Sequence, residues 1–143
     1  MLWQPEHDTR EASELGAIAP ERVLVEYDGI HVFTFRDPEN KMLLAYHCDE
    51  DDAGGWRYMI VPCSESTLNR LVTGQQSIVS ALAQSWGWIA DISEGEVQSL
   101  WQIDPATLPD DYRPQPNVFL THVADRDLSV GTLEAALESI ASR

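Results

Sequence analysis

The amino-acid sequence predicts a single α+β domain, with an antiparallel sheet of about six strands and helices after the fourth strand and at the carboxy terminus. Short strand-like runs separated by turn residues such as Asp28-Gly29 are typical of consecutive antiparallel strands. At Ser64 the apolar spacing changes from that of a strand to that of a helix. The length of 143 residues suits one hydrophobic core.

Four strands are predicted in the first half of the chain, at residues 22–27, 30–35, 42–48 and 56–62. Asp28-Gly29 favours a type I′ hairpin turn between the first two strands. The turn at 37–40 and the acidic loop at 49–55 join the others. Because each strand is followed directly by the next, we expect an antiparallel meander.

Two helical segments and a last hairpin are predicted in the second half of the chain. Ser64 is a favourable N-cap, and Gly74 is a favourable stop for the helix between them. A second helical segment restarts at Ser77. Residues 86–92 and 97–103 predict two strands, and a two-residue turn at Glu94-Gly95 would place Trp88 directly opposite Trp101 on one face of the sheet.

The chain divides into three segments. Residues 1–21 form a polar lead with a short helix, residues 22–123 form the α+β core, and residues 124–143 carry a carboxy-terminal amphipathic helix. In this last segment Leu133, Ala136, Leu137 and Ile140 recur at helical spacing. We expect that helix to dock on its own sheet or on a partner.

Several turn and core motifs lie between residues 27 and 120. They are Tyr27-Asp28-Gly29, the acidic loop before Trp56, Ile60-Val61-Pro62-Cys63-Ser64, Leu68 to Gly74, Leu108-Pro109, and Pro114-Gln115-Pro116-Asn117-Val118-Phe119-Leu120. In these motifs, over roughly two thirds of its length, the chain resembles a family of small bacterial proteins known only as a domain of unknown function. The resemblance implies a fold and no reaction. Asn117 stands where that family has glycine, and asparagine tolerates the same left-handed backbone.

The charge of the chain excludes several classes of partner. It has 24 Asp and Glu against 9 Lys and Arg, a formal net charge of −15, and Lys41 is its only lysine. This balance argues against direct binding to nucleic acid or to an anionic membrane, because both require basic surfaces. The start of the sequence has no basic leader, and no apolar run approaches the roughly 20 residues that span a bilayer. We therefore expect a soluble, cytoplasmic protein.

The two cysteines, Cys48 and Cys63, are expected to be reduced thiols. In the predicted hairpin they lie at opposite ends, about 20 Å apart at the rise of an extended strand, which is too far for a disulfide. A zinc site built on His47 and Cys48 is disfavoured, because adjacent strand residues point to opposite faces.

Catalytic motifs are missing from the sequence: it contains no GxSxG, HExxH, P-loop or GxGxxG followed by a helix. His31 and His47 could meet across neighbouring strands, although strand histidines are more often exposed or hydrogen-bonded within the fold. Cys63 precedes a predicted helix, which could activate a nucleophile, but a small apolar residue at a strand-to-helix junction is the favoured interpretation. We predict no catalytic residue, no metal site and no cofactor.

The most conspicuous local feature is the acidic run in the third loop. Four adjacent carboxylates repel one another unless a cation or a basic partner lies nearby, although such runs are usually solvated. Tryptophans at strand positions are usually core residues, but an exposed pair among carboxylates would form a binding hot spot. The predicted partner-binding residues are Asp49, Glu50, Asp51, Asp52, Trp56, Trp88 and Trp101.

The leading functional hypothesis is a non-catalytic accessory, inhibitor or immunity-type subunit that binds a basic protein. One alternative is a nucleic-acid mimic that inhibits a DNA- or RNA-binding enzyme. Another is a small enzyme or ligand-binding domain that uses Cys63, His31 or His47, which would require these side chains to converge. A fourth hypothesis is that the negative net charge serves only to keep the protein soluble.

Overall fold

The structure, a computed structural model, describes residues 18–26, 29–51, 53–93, 96–114 and 120. Six strands form one antiparallel sheet in which each strand pairs with its neighbours in the sequence. The strands are β1 (Arg22–Glu26), β2 (Ile30–Arg36), β3 (Met42–Glu50), β4 (Trp56–Pro62), β5 (Gly87–Ser93) and β6 (Glu96–Ile103). The predicted α+β class with an antiparallel six-stranded sheet is confirmed. The helices predicted in the lead and at the carboxy terminus lie outside the described residues.

Short helices connect the strands of the second half. Helix α1 (Glu65–Val72) begins after Ser64, whose hydroxyl accepts a hydrogen bond from the Thr67 amide at 3.0 Å. Helix α2 (Ile78–Ala81) is capped in the same way by Ser77. After β6, two 3₁₀ turns follow at Pro105–Thr107 and Asp110–Tyr112. None of the helices among the described residues is long and apolar enough to cross a membrane.

Both faces of the sheet are apolar and buried. On the first face, side chains of the strands pack with those of α1, α2 and the 3₁₀ turns, including Leu68, Leu71 and Tyr112. On the second face the buried cluster consists of strand residues such as Phe33, Phe35 and Tyr58, and none of its described members belongs to a helix. The Tyr58 hydroxyl donates to the Ile30 carbonyl at 2.6 Å, so the second face also holds β4 against β2.

Irregularities in the sheet set the final register. The ladder between β3 and β4 shifts between His47 and Asp49, and the ladder between β5 and β6 shifts between Asp91 and Ile92. Each shift changes which residues share a face, because successive strand side chains point to opposite sides. The second shift decides on which faces of the sheet Trp88 and Trp101 lie.

Candidate functional site

The order of the strands brings three acidic connections to one end of the sheet. In an uninterrupted antiparallel sheet, the β1–β2, β3–β4 and β5–β6 connections all lie at the same end. We call this the acidic end, after its described carboxylates Glu26, Asp49, Glu50, Asp51 and Glu96. Asp28, Asp52 and Glu94 belong to the same three connections in the sequence but lie outside the described residues.

The opposite end of the sheet has a mixed charge. Arg22, Arg36 and Lys41 are at the strand termini there. The Arg36 guanidinium contacts Glu21 at 3.2 Å and Glu65 at 3.0 Å. Carboxylates therefore occur at both ends but the cations are concentrated at one, because the described strand termini and connections at the acidic end contain Arg57 as their only cation.

The predicted acidic run does not act as four equivalent carboxylates. Asp51 Oδ1 accepts hydrogen bonds from the Ala53 amide at 2.9 Å and from the Gly55 amide at 2.7 Å, so this side chain shapes the loop. Asp49 is half-buried, whereas Glu50 is exposed to solvent. Asp52 lies outside the described residues. Glu50 is thus the one described member of the run that is exposed to solvent.

Two of the tryptophans predicted as anchors are buried. Trp56 is 6% exposed and Trp88 is 3% exposed, and both belong to the cluster on the second face. Trp101 is half-buried and packs against the cluster on the first face. These side chains contribute to the core, which is the ordinary role of a strand tryptophan.

The predicted pairing of Trp88 with Trp101 is wrong. In the observed register Trp88 lies opposite Gln102, and Trp101 lies opposite Ile89. The irregularity between Asp91 and Ile92 displaces the ladder by one residue, so the two indoles lie on opposite faces. A β-bulge inserts one extra residue into a strand, so a pairing counted outward from a two-residue turn is displaced by one residue beyond the bulge.

Among the described tryptophans the exposed one is Trp86, which is not one of the predicted partner-binding residues. It is 45% exposed, just before β5, and its ring packs edge-on against Trp88 at a centroid distance of 4.8 Å. Its place before β5 puts it at the end opposite the acidic connections. The exposed indole of Trp86 and the acidic end are therefore separate features of the described structure.

A buried arginine lies beneath the acidic end. Arg57 is fully buried, and its Nε and Nη2 atoms donate to the two carboxylate oxygens of Asp91 at 2.7 and 3.0 Å. Its Nη1 atom lies 3.1 Å from the Tyr112 hydroxyl, and the centre of its guanidinium is 5.6 Å from the Trp101 ring. Through these contacts Arg57, on β4, is joined to Asp91 on β5 and to Tyr112 in the second 3₁₀ turn. The sequence around Arg57 does not indicate this network, because its partners Asp91 and Tyr112 are distant in the chain.

The pKa values of this network follow from burial and hydrogen bonding. Burial lowers the pKa of the Arg57 guanidinium, but hydrogen bonds to Asp91 and Tyr112 outweigh it, so the net pKa lies above its ordinary value. Burial raises the pKa of Tyr112 to about 12. Arg57 is therefore charged and Tyr112 is protonated at neutral pH. Neither group changes its protonation state near pH 7, so the network has a structural role.

His31 and His47 meet across β2 and β3, as predicted. Their Nδ1 atoms lie 3.2 Å apart, with ring centroids 5.1 Å apart and the rings tilted by 55°. The His47 ring stacks on Trp56 at a centroid distance of 3.8 Å with an interplanar angle of 13°. Cys48, the next residue, packs against the cluster on the other face, as strand alternation requires.

Cys63 lines an open cleft of about 580 Å³ at the opposite end, together with Arg36, Lys41, Ser64 and Gln84. Its side chain is buried, and burial raises the pKa of the thiol to about 11. Cys48 and Cys63 are both free thiols, as expected. A thiol that is protonated at neutral pH is a poor nucleophile, so Cys63 fits the role of an apolar junction residue.

The convergence that a small enzyme would require does not occur. Cys63 follows β4 at the opposite end of the sheet, whereas His31 and His47 lie close to the acidic end. The Cys63 amide donates to the Met42 carbonyl, and His47 lies five positions further along β3 than Met42, which is about 16 Å along an extended strand. Comparison with protein-family models, with curated proteins and with solved structures found no match. The resemblance to a bacterial domain of unknown function stays a prediction.

Proposed function

We propose that this protein is a non-catalytic interaction module, an accessory, inhibitor or immunity-type subunit whose acidic end binds a basic protein partner. The observation that supports this is the gathering of three acidic connections at one end of the sheet. The cation beneath them, Arg57, is buried and paired with Asp91, so it does not neutralise the exposed carboxylates. We place this interaction in the cytoplasm, where both cysteines would stay reduced.

The proposed interface is polar. Glu50 and Glu96 are exposed, and each can accept a two-pronged hydrogen bond from an arginine of the partner. Trp56 and Trp88 are core residues and supply no anchor. An interface dominated by exposed carboxylates gains mainly in encounter rate and specificity, and salt weakens it.

A second candidate function, nucleic-acid mimicry, is favoured by the spacing of the acidic connections. Successive connections at this end are two strands apart, about 10 Å at the usual strand separation. They therefore form a row across the end of the sheet, and a row of carboxylates could occupy the phosphate-binding groove of an enzyme.

Affinity capture with matched variants tests the proposal. The tagged protein is incubated with the native lysate at low salt after nuclease treatment, and bound proteins are identified by mass spectrometry. We expect one stoichiometric basic partner that high salt releases. The double variant Glu50→Gln with Glu96→Gln should lose most of this partner, because it removes two exposed charges from the acidic end.

The control is Glu39→Gln with Glu65→Gln, which removes the same number of charges from exposed residues at the opposite end. It should capture the partner as the unchanged protein does. Equal loss in both double variants would show that net charge alone matters, and no salt-sensitive partner would contradict the proposal. If DNA or RNA displaces the partner from the acidic end, mimicry is the better description.

A further inference from the structure

We propose that His31 and His47 form a two-histidine site for a divalent transition-metal ion such as Zn²⁺ or Ni²⁺. This site is separate from the proposed partner surface, since it uses imidazole nitrogens between β2 and β3 and not the exposed carboxylates. Neutral imidazole is a good ligand for zinc, copper and nickel.

The distance between the two ring nitrogens suits chelation. Zinc binds histidine nitrogen at about 2.0–2.1 Å, and in a tetrahedral site two such nitrogens lie about 3.3 Å apart. The Nδ1 atoms of His31 and His47 are 3.2 Å apart. An ion could therefore bind to both nitrogens with little movement of either ring. In the absence of metal, the same distance allows one Nδ1 to donate a hydrogen bond to the other.

The strands hold the pair in place. Val32 lies opposite Tyr46, and one further step along this antiparallel register brings His31 opposite His47. The His47 ring is held in a parallel stack by Trp56, and the His31 ring lies 4.9 Å from the same indole, centroid to centroid. Ligands fixed by packing lose little entropy on binding a metal.

The surroundings favour a cation and an open coordination sphere. Asp49 and Glu50 come two and three residues after His47 on β3, so carboxylates lie close to it along the strand. Among the described residues, no group of three or more His, Cys, Asp and Glu side chains is arranged to hold a metal. The ion would therefore take two protein nitrogens and complete its coordination with water. On binding, both Nδ1 lone pairs turn to the metal and the ring protons reside on Nε2.

Nitrogen-15 NMR of the histidine rings in the full-length protein tests this directly, with Zn²⁺ as the probe. We expect one equivalent of Zn²⁺ to shift the Nδ1 resonances of His31 and His47 together. By calorimetry His31→Gln should bind Zn²⁺ at least about tenfold more weakly, since loss of even a second-shell partner costs that much. The double variant Cys48→Ser with Cys63→Ser should bind as the unchanged protein does.

Shifts confined to His7 or His122, or binding that survives His31→Gln but is lost with the cysteines, would overturn the proposal. So would unshifted ring resonances at saturating Zn²⁺, which would leave the pair as a structural hydrogen bond. Because the ring spectra use the unchanged protein, they decide the question even if His31→Gln fails to fold. None of these results depends on whether the acidic end binds a partner.

Discussion

The two ends of the sheet each hold an arginine with carboxylate partners, but in opposite surroundings. At the acidic end Arg57 is fully buried and makes a two-pronged contact with Asp91, whose side chain is 18% exposed. At the opposite end the side chain of Arg36 is 33% exposed, and that of its partner Glu65 is 68% exposed. The same chemical pair can therefore stabilise the core or contribute little at the surface, depending on its burial.

Within the acidic end, buried residues and exposed residues differ in the same way. The buried network of Arg57, Asp91 and Tyr112 fixes β4, β5 and the following turn. At the same end, Glu50 and Glu96 are exposed to solvent. A rigid base with exposed carboxylates is the arrangement that we expect of a docking surface, since little ordering entropy is lost on binding.

The largest effect is expected from breaking the buried pair. Asp91→Ala leaves the Arg57 charge without its carboxylate, and removing one partner of a buried pair costs about 3–5 kcal/mol. We expect a loss of about 3 kcal/mol in the free energy of unfolding, measured by urea denaturation. A loss below about 1 kcal/mol would mean that the pair resembles a surface ion pair, and the contrast between the two ends would fail.

Two glycines, one at each end, extend this contrast to the packing of the backbone. A Cβ on Gly87 would collide with the Ile60 backbone carbonyl, whereas a Cβ on Gly55 would lie 2.6 Å from the Asp51 carboxylate, a side chain that can shift more readily than backbone although its hydrogen bonds to the loop amides would weaken. We expect Gly87→Ala to cost about 2–3 kcal/mol, as overpacking does, and Gly55→Ala to cost about half as much. Thermal or urea unfolding of both variants measures this difference. The reverse order would show that the acidic loop is the more rigid of the two sites.

The two thiols give a pH dependence that both ends share. Burial raises the pKa of Cys63 to about 11 and raises that of Cys48 as well, from an ordinary 9.0. Above pH 9 the unfolded chain therefore loses thiol protons that the folded protein keeps, so stability falls as pH rises. We expect the free energy of unfolding to fall by about 2 kcal/mol between pH 8 and pH 10.

The double variant Cys48→Ser with Cys63→Ser is the control for this series. It should be markedly less sensitive to pH over the same range, and each single variant should lose about half of the dependence. A pH profile that is identical in the double variant would assign the loss of stability to other groups.

The smallest effect is expected at the exposed ion pairs of the opposite end. Glu65→Gln and Glu21→Gln each remove one partner of Arg36, and exposed pairs contribute about 0.2–1 kcal/mol. We expect a change below about 1 kcal/mol in the free energy of unfolding, shrinking further in high salt. A cost near that of Asp91→Ala would remove the distinction between the two ends.

Much of the sheet could be predicted from the sequence because its signals are local. Residues 56–62 were predicted as a strand with the bounds that β4 has, and Ser64 caps α1 through its own hydroxyl. The meeting of His31 and His47 also followed from strand alternation and a short turn. Such features depend on a few neighbouring residues.

The positions of the tryptophans and of Arg57 could not be predicted in the same way. A single irregularity between Asp91 and Ile92 moves Trp101 to the other face from Trp88. The partners of Arg57 are 34 and 55 residues away in the sequence, at Asp91 and Tyr112. Register shifts and long-range ion pairs depend on packing across the whole sheet, which no local pattern encodes.

Zero-length cross-linking of carboxylates to amines can show whether the acidic end binds a basic partner. The chain has one lysine, Lys41, so few cross-links can form between copies of it. After cross-linking in native lysate, mass spectrometry identifies the joined residues. We predict cross-links from Glu50 and Glu96 to lysines of a single partner. Cross-links that arise mainly from Glu39 and Glu65, or that spread evenly over many proteins, would contradict the account.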